Sequence, residues 1–412
     1  MVNNNLKERF LKYIAFDTQS NDDSNTVPST MKQKDLGSFL EKELKSLGID
    51  NAFMDEYGYV YGYIKSNCNS NITIGLIAHM DTSDEASGAN VKPNIIEKYD
   101  GSIIKVNEEL NIVLDPTEFP YLLKQIGHEL ITTDGTTLLG ADDKAGIAII
   151  MTVCEELLNG NYKYPNIIIT FTPDEEIGRG TDCFNYDYYK KHNCKYAYTL
   201  DGGEPCYINC ENFNAASAVV NIKGRSIHPG SAKNKMINSQ LVAMEFNSLL
   251  PSNMVPSLTE NYEGFYHLVG MKGSVSETEL VYIIRNHDRK LFEKQKKLLN
   301  EAKNYLNKKY NEEIVFVDLK DSYYNMKELV EQHPIVLKNA ELALKENGII
   351  PIYDPIRGGT DGARLTYGGI ITPNLGTGGQ AFHGPFEYLD LDEASIMVNV
   401  VKSLLNKYLE IK

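Results

Sequence analysis

Nowhere in these 412 residues do 18 apolar residues run together, so no segment has the length and character of a membrane-spanning helix. The opening Met1-Val-Asn-Asn-Asn-Leu-Lys-Glu-Arg has no apolar core of the kind that directs export, and a cytoplasmic protein is expected. Cysteine is sparse. Cys68, Cys154, Cys183, Cys194, Cys206 and Cys210 are too few and too irregular for a disulfide framework in a chain this long, which fits a reducing compartment. Cys206 and Cys210 lie close together, but no second Cys pair or Cys/His partner follows at zinc-finger spacing, so they read as ordinary thiols. Basic runs are missing too. Lys plus Arg is 41 against 56 Asp plus Glu, a net charge of −15, which argues against nucleic acid or a membrane surface as partner. There is no G-x-G-x-x-G after the opening strand and no G-K-S/T phosphate loop, which weighs against a nucleotide-binding protein. Repeats and low-complexity tracts are absent.

What is present is a set of apolar strands that end in acids. Ile72–Ser83 is an Ile/Leu/Ala run, the pattern of a strand buried on both faces in a parallel sheet, and it stops at His79 and Asp81. Asn166–Phe171 is a second such strand and runs into Thr172-Pro173-Asp174-Glu175-Glu176. Acids this close repel one another, so without a cation the arrangement is costly or at least one of them is protonated. Tyr196–Leu200 closes on Asp201-Gly202-Gly203. Gly140-Ala141-Asp142-Asp143-Lys144 leads into an apolar helix, Ile147–Leu158, whose N-terminus favours carboxylates. The carboxyl ends of strands are where open α/β sheets place their sites.

The order of elements predicts two domains. Helices are expected at Leu6–Phe16, at Ser29–Leu47 and at Asp392–Leu409, the last with Ile396, Val400, Leu404 and Tyr408 on one face. Ser83 to about Glu129 reads as a long excursion with short strands. From about Asn212, Ala216–Ile222, Ser239–Leu250, Phe265–Val275, Glu279–Arg285, Asp288–Leu306 and Ile314–Leu319 give the order βαββαβ, that of a ferredoxin-like domain. Residues 1–211 and 322–412 then form one α/β domain, a mixed, largely parallel sheet flanked by helices, and 212–321 an inserted α+β domain. In the resumed first domain Pro334–Lys345 reads as a helix, Arg357–Gly362 as a glycine-rich loop and Gly369–Pro373 as a strand.

Collected, the first domain offers His79, Asp81, Asp142, Glu175, Glu176, Asp201 and His383. Two imidazoles with several carboxylates and no thiolate suit a pair of zinc, cobalt or manganese ions. A bridging carboxylate would hold such a pair roughly 3.5–4 Å apart, and one acid should stay off the metals as general base.

Ala78-His79-Met80-Asp81-Thr82-Ser83, Gly140-Ala141-Asp142-Asp143-Lys144, Pro173-Asp174-Glu175-Glu176-Ile177-Gly178, Asp201-Gly202-Gly203, His228-Pro229-Gly230, Gly358-Gly359-Thr360-Asp361-Gly362 and His383-Gly384 together resemble the M20-type dizinc metallopeptidases, the family of glutamate carboxypeptidase, aminoacylase and succinyl-diaminopimelate desuccinylase. Within it the chain looks most like the members that release the N-terminal residue from tripeptides. The resemblance implies two Zn²⁺ per subunit, with Co²⁺ or Mn²⁺ as substitutes. His79 and Asp201 would hold one, Glu176 and His383 the other, and Asp142 would bridge. Asp81 would orient His79, Glu175 would be the general base, and Asp143 would support the bridge. The inserted domain would be a lid and, as in many relatives, a homodimerisation surface, with His228 polarising the scissile carbonyl. A tripeptide's free carboxylate calls for a fixed cation, and Arg285 and Arg357 are the candidates. The same metal ligands would serve a dipeptidase, a carboxypeptidase or an acyl-amino-acid deacylase. A metal-binding protein without catalysis would lack a ligand or the base, and none is missing.

Overall fold

The computed structural model describes residues 2–410. They fall into two compact units. The first takes in the chain up to Cys210, Glu328–Asp354 and Thr360 onward; the second takes in Glu211–Lys327 and Pro355–Gly359. Among the described residues no helix is long and apolar enough to cross a membrane.

The first unit is built on an eight-stranded mixed sheet, in the order Phe53–Met54, Val60–Ile64, Asn166–Thr172, Thr73–His79, Cys194–Leu200, Asn374–Leu375, Tyr207–Asn209 and Ile352–Tyr353. Its centre is parallel: Thr73–His79 lies between Asn166–Thr172 and Cys194–Leu200 and runs the same way as both. Every residue of Thr73–His79 is buried, as its unbroken apolar run requires. The helix Ala141–Asn159 is buried over most of its length, and Gly146 lets it approach the sheet: a Cβ there would stand 2.0 Å from the carbonyl oxygen of Leu200. A second, four-stranded sheet follows the order Gly379–Gln380, Tyr388–Asp390, Leu130–Thr132, Asn94–Ile96. The expected excursion after Ser83 thus carries short strands, Asn94–Ile96 among them.

The second unit has the elements Asn214–Lys223, Ser239–Ser248, Phe265–Gly273, Glu277–Asn286, Arg289–Tyr310 and Val315–Tyr323, the βαββαβ order. Its antiparallel sheet runs Phe265–Gly273, Glu277–Asn286, Asn214–Lys223, Val315–Tyr323, and the two helices close one core with it around Phe246, Tyr282, Phe292 and Leu299.

Four expectations need correction. A boundary at 321 cuts the strand Val315–Tyr323, whose pairing continues to Ala215 opposite Tyr323, and the unit runs on to Lys327. Only Gly369 of Gly369–Pro373 lies in a turn; the rest runs beside Cys194–Leu200, with a bridge at Ile371 and backbone hydrogen bonds from Ala197 and Thr199 to the carbonyls of Ile371 and Pro373. Gly369 has φ +93°, Pro373 has no N–H to offer a ladder, and the regular strand is confined to Asn374–Leu375. The glycine-rich run ends in a helix, Asp361–Tyr367, capped by the Thr360 side chain, which accepts the Ala363 N–H. In the closing helix, Leu391–Lys407, Ile396 faces outward, while Met397, Val400, Val401 and Leu404 are buried. Positions four apart advance about 40° beyond a full turn, so a strict repeat of four walks off the buried face.

Candidate metal centre

Strand order assembles the site. The central strand ends at His79, its neighbour on one side leads through Thr172 and Pro173 to Glu175 and Glu176, and its neighbour on the other ends at Leu200, just before Asp201. Three segments distant in sequence therefore deliver their acids and imidazole to one edge of the sheet. Asp142 arrives from the start of the buried helix, where it and Asp143 have non-helical backbone angles and the peptide between them is cis. His383 comes from the loop joining Gly379–Gln380 to Tyr388–Asp390, in the left-handed region at φ +65°.

The two oxygens of Asp142 face different histidines. Oδ1 is 2.8 Å from His79 Nε2, and Oδ2 is 3.6 Å from His383 Nε2. Asp201 Oδ1 stands 3.9 Å from His79 Nε2, and Glu176 Oε2 stands 2.9 Å from His383 Nε2. The five candidate ligands thus converge about the Asp142 carboxylate. Ligand atoms of His79, Asp142 and Glu176 lie within 4.8 Å of one another, as do those of His79, Asp143 and Asp201. Glu176 Oε1 is buried without a hydrogen-bond partner. An orphaned carboxylate oxygen costs about 1–3 kcal/mol or more, and a cation would satisfy it. Two imidazoles, three carboxylates and no thiolate are a donor set that fits divalent cations of the zinc, cobalt or manganese type.

The charges say the same. Burial, with Asp142 alongside, pushes Asp201 up to about 8 and Glu176 up to about 7. Burial, with Asp201, Asp361 and Glu176 around it, drives Glu175 well above the usual carboxylate range. Hydrogen bonds to the carboxylates of Asp142 and Glu176 raise His383 to about 11. Burial opposes the charge on His79, yet Asp142 and Asp81 outweigh it and raise the imidazole. Burial also opposes ionisation of Asp142, but the His383 and His79 bonds hold it below its ordinary value. So many acids crowd together that they compete for protons, the condition a bound cation relieves.

Supporting residues hold this arrangement. His79 Nδ1 donates to the backbone oxygen of Asp81 at 3.0 Å, and the Asp81 side chain is 3.4 Å away. The Asp81 carboxylate is spent elsewhere, accepting the N–H groups of Glu175 at 2.9 Å and Glu176 at 3.1 Å. Asp143 is buried, accepting the His79 N–H at 3.1 Å and that of Gly146 at 3.2 Å. Glu175 Oε1 receives the Asp361 N–H at 3.3 Å.

Two further acids have partners that the sequence motifs containing them do not reveal, and a third, Glu387, escaped sequence reasoning altogether. Asp361 is buried, takes the Thr172 hydroxyl at 2.8 Å, and packs so close to Gly180 that a Cβ there would sit 2.2 Å from it. Asp174, at φ +59°, accepts the N–H and hydroxyl of Ser29 at 2.7 and 2.5 Å and the amide of Gln33 at 2.7 Å. That use of Ser29 is why the helix expected from Ser29 begins instead at Gln33. Glu387 accepts three backbone N–H groups, those of Leu139 and Gly140 before the buried helix and that of Asp142 at its start. An acid framed by large apolar residues, Phe386-Glu387-Tyr388, was the available signal: such a residue is buried only with partners.

His228, Arg285 and Arg357 belong to the second unit. His228 is exposed in a short turn, its Nδ1 accepting the Gly230 N–H at 3.2 Å. Both terminal nitrogens of the Arg357 guanidinium are engaged, donating to the oxygens of Asn261, Glu263 and Thr259, and the group stacks 5.0 Å over Phe213. Arg285 donates to the carbonyls of Ala216 and Ile284 and lies 5.4 Å over Tyr323; burial lowers its pKa, and no carboxylate pairs with it among the described residues.

Comparison with known proteins identifies the family. Residues 132–407 match the model of peptidase family M20/M25/M40. The chain is 50% identical over 405 residues to Peptidase T of Clostridium acetobutylicum, covering 98% of each, and 47% identical over 408 residues to Peptidase T of Alkaliphilus oremlandii, covering 98% of this chain and 99% of the other. Its fold is that of aminopeptidase PepT from Bacillus cereus, with TM-score 0.78, 21% identity and 99% of each chain covered. It also resembles a dinuclear metal-binding peptidase of the M20 family from Bacillus subtilis, with TM-score 0.65, 12% identity and coverage of 99% and 98%. This chain, an enzyme, belongs to peptidase family M20/M25/M40.

Proposed function

We propose that the protein is a tripeptide aminopeptidase working with two divalent cations, zinc by preference. The observation that carries the reading is Asp142, whose oxygens face one histidine each, with Asp201 beside the first and Glu176 beside the second. The relatives called Peptidase T, half identical over nearly their whole length, support the substrate class.

His79 and Asp201 would hold one cation, Glu176 and His383 the other, and Asp142 both. When bound, such a pair makes a water acidic near neutral pH and polarises a carbonyl oxygen. Glu175 is left as the base. Its carboxylate lies among the ligands but is bonded to the Asp361 N–H, so it can take the water's proton and return it to the departing amine. Asp81 holds Glu175 in place through its backbone. His228 is assigned to the scissile carbonyl's oxygen as a hydrogen-bond donor, and the second unit to the roles of lid and dimerisation surface. Of the two arginines, Arg285 is assigned to the substrate's free carboxylate, since Arg357 is spent on the oxygens of Thr259, Asn261 and Glu263.

The test is a small panel with the metal-loaded enzyme: free di-, tri- and tetrapeptides and an N-acetylated tripeptide. An aminopeptidase of this kind cleaves the free tripeptide and rejects the acetylated one. Cleavage of the acetylated peptide would instead make the protein a deacylase or carboxypeptidase. Glu175→Gln is expected to keep its metals and lose about 10²- to 10⁴-fold in rate. Normal hydrolysis by that variant would remove Glu175 as base.

A further inference from the structure

His383 and Glu387 sit in one short loop between the paired strands Gly379–Gln380 and Tyr388–Asp390. Glu387 is only 1% exposed, and its carboxylate reaches the segment that carries Asp142. Oε2 accepts the N–H groups of Leu139 at 2.7 Å and Gly140 at 2.9 Å, and Oε1 accepts that of Asp142 at 3.0 Å.

Those donors need an acceptor from outside. Gly140 caps the helix with φ +83° and no side chain, and the first N–H groups of a helix have no partner within it. Asp142 itself lies off helical geometry, at φ −86° and ψ 107°, so the helix does not dictate where its side chain points. Its backbone is held by Glu387, while its Oδ2 faces His383, four residues earlier in the same loop as Glu387. One loop therefore supplies a candidate ligand and also the acceptor that fixes the backbone of the candidate bridge.

We propose that Glu387 is a positioning residue that sets the spacing of Asp142 and His383, and so governs cation affinity on the His383–Glu176 side of the site more than on the His79–Asp201 side. This rests on the two-cation reading above. Outer partners of metal ligands are worth about 10- to 100-fold in affinity.

The experiment is a calorimetric titration of chelator-stripped protein with Zn²⁺, with melting temperatures measured alongside. Wild type, Glu387→Gln, Glu387→Asp and Leu404→Ala are compared, the last a buried helix position outside the site that lowers stability alone. Wild type is expected to show two binding events. Glu387→Gln should weaken one about 10- to 100-fold and leave the other within a few-fold, Glu387→Asp should weaken the same one less, and Leu404→Ala should change neither. Equal weakening of both events, or none, in the Glu387 variants overturns the inference while leaving the two-cation reading intact. Should Glu387→Gln not fold, Glu387→Asp decides by the same criterion. A wild type that binds no cation brings down the two-cation reading and this inference with it.

Discussion

The Asp81 carboxylate is bonded to the backbone of Glu175, at 2.9 Å, and through its other oxygen to that of Glu176, at 3.1 Å. The residue beside the first histidine thus holds the candidate base and a candidate ligand in register, and its contact to the His79 ring runs mainly through its backbone oxygen. Asp81→Asn keeps that backbone contact but turns an N–H₂ toward an N–H. Hydrolysis is expected to fall about 10- to 100-fold with both metals retained, as measured by kcat and metal analysis of the same preparation. A variant that loses metal in proportion to rate would place Asp81 in metal binding alone.

Cation uptake should release protons. Asp201 and Glu176, pushed to about 8 and 7 chiefly by burial, and His79 and His383, raised by their carboxylate partners, hold protons near neutrality and must give them up to ligate. Affinity is therefore expected to strengthen from pH 6 to pH 8. Titrations in two buffers of different ionisation enthalpy should reveal at least one proton released. An affinity flat over that range would contradict the pKa ordering.

A second acid cluster, away from the catalytic set, sets a stability trend. Glu393 accepts from the Tyr121 hydroxyl at 2.7 Å and the Gln125 amide at 3.5 Å, while Asp390 pairs with His128 at 2.6 Å. Burial, then Asp390 and, more weakly, Glu204, push Glu393 up to about 8, against about 4.3 in an unfolded chain. A carboxyl raised on folding contributes stability in full below the unfolded value and loses it as pH climbs through the folded one. Glu393→Gln is expected to match wild type in Tm near pH 4 to 5 and exceed it at pH 8. The same difference at both pH values would mean that Glu393 is ionised throughout.

The arginines separate by what they already touch. Arg285→Ala should raise KM for a free tripeptide about tenfold or more and leave its C-terminally amidated analogue nearly unchanged. Arg357→Ala, which strips donors from three carbonyl-bearing residues of one loop, should lower Tm by an amount equivalent to about 1–2 kcal/mol. Equal KM effects on the two substrates would remove Arg285 from carboxylate binding.

Much of the candidate site was legible because apolar runs that stop at acids announce the carboxyl ends of buried parallel strands. His79, Glu175, Glu176 and Asp201 all stand there. The βαββαβ order of the second unit was legible for a related reason: alternating and helical periods change cleanly from element to element. What stayed hidden depends on long-range pairing. Nothing local to Ser29 and Gln33 says that both serve Asp174, and nothing near Glu387 says that it ties down a segment 245 residues earlier. The Asp361–Tyr367 helix was masked by the glycines before it, and the strand at Asn374 by its two-residue length.

The most direct measurement is a crystal structure of the zinc-soaked protein with anomalous scattering collected at the zinc edge. Two peaks are expected, one on each side of the Asp142 carboxylate, the first beside His79 and Asp201 and the second beside Glu176 and His383. A map with no peak at Asp142, or with zinc bound only at a distance from these five residues, would contradict the two-cation site.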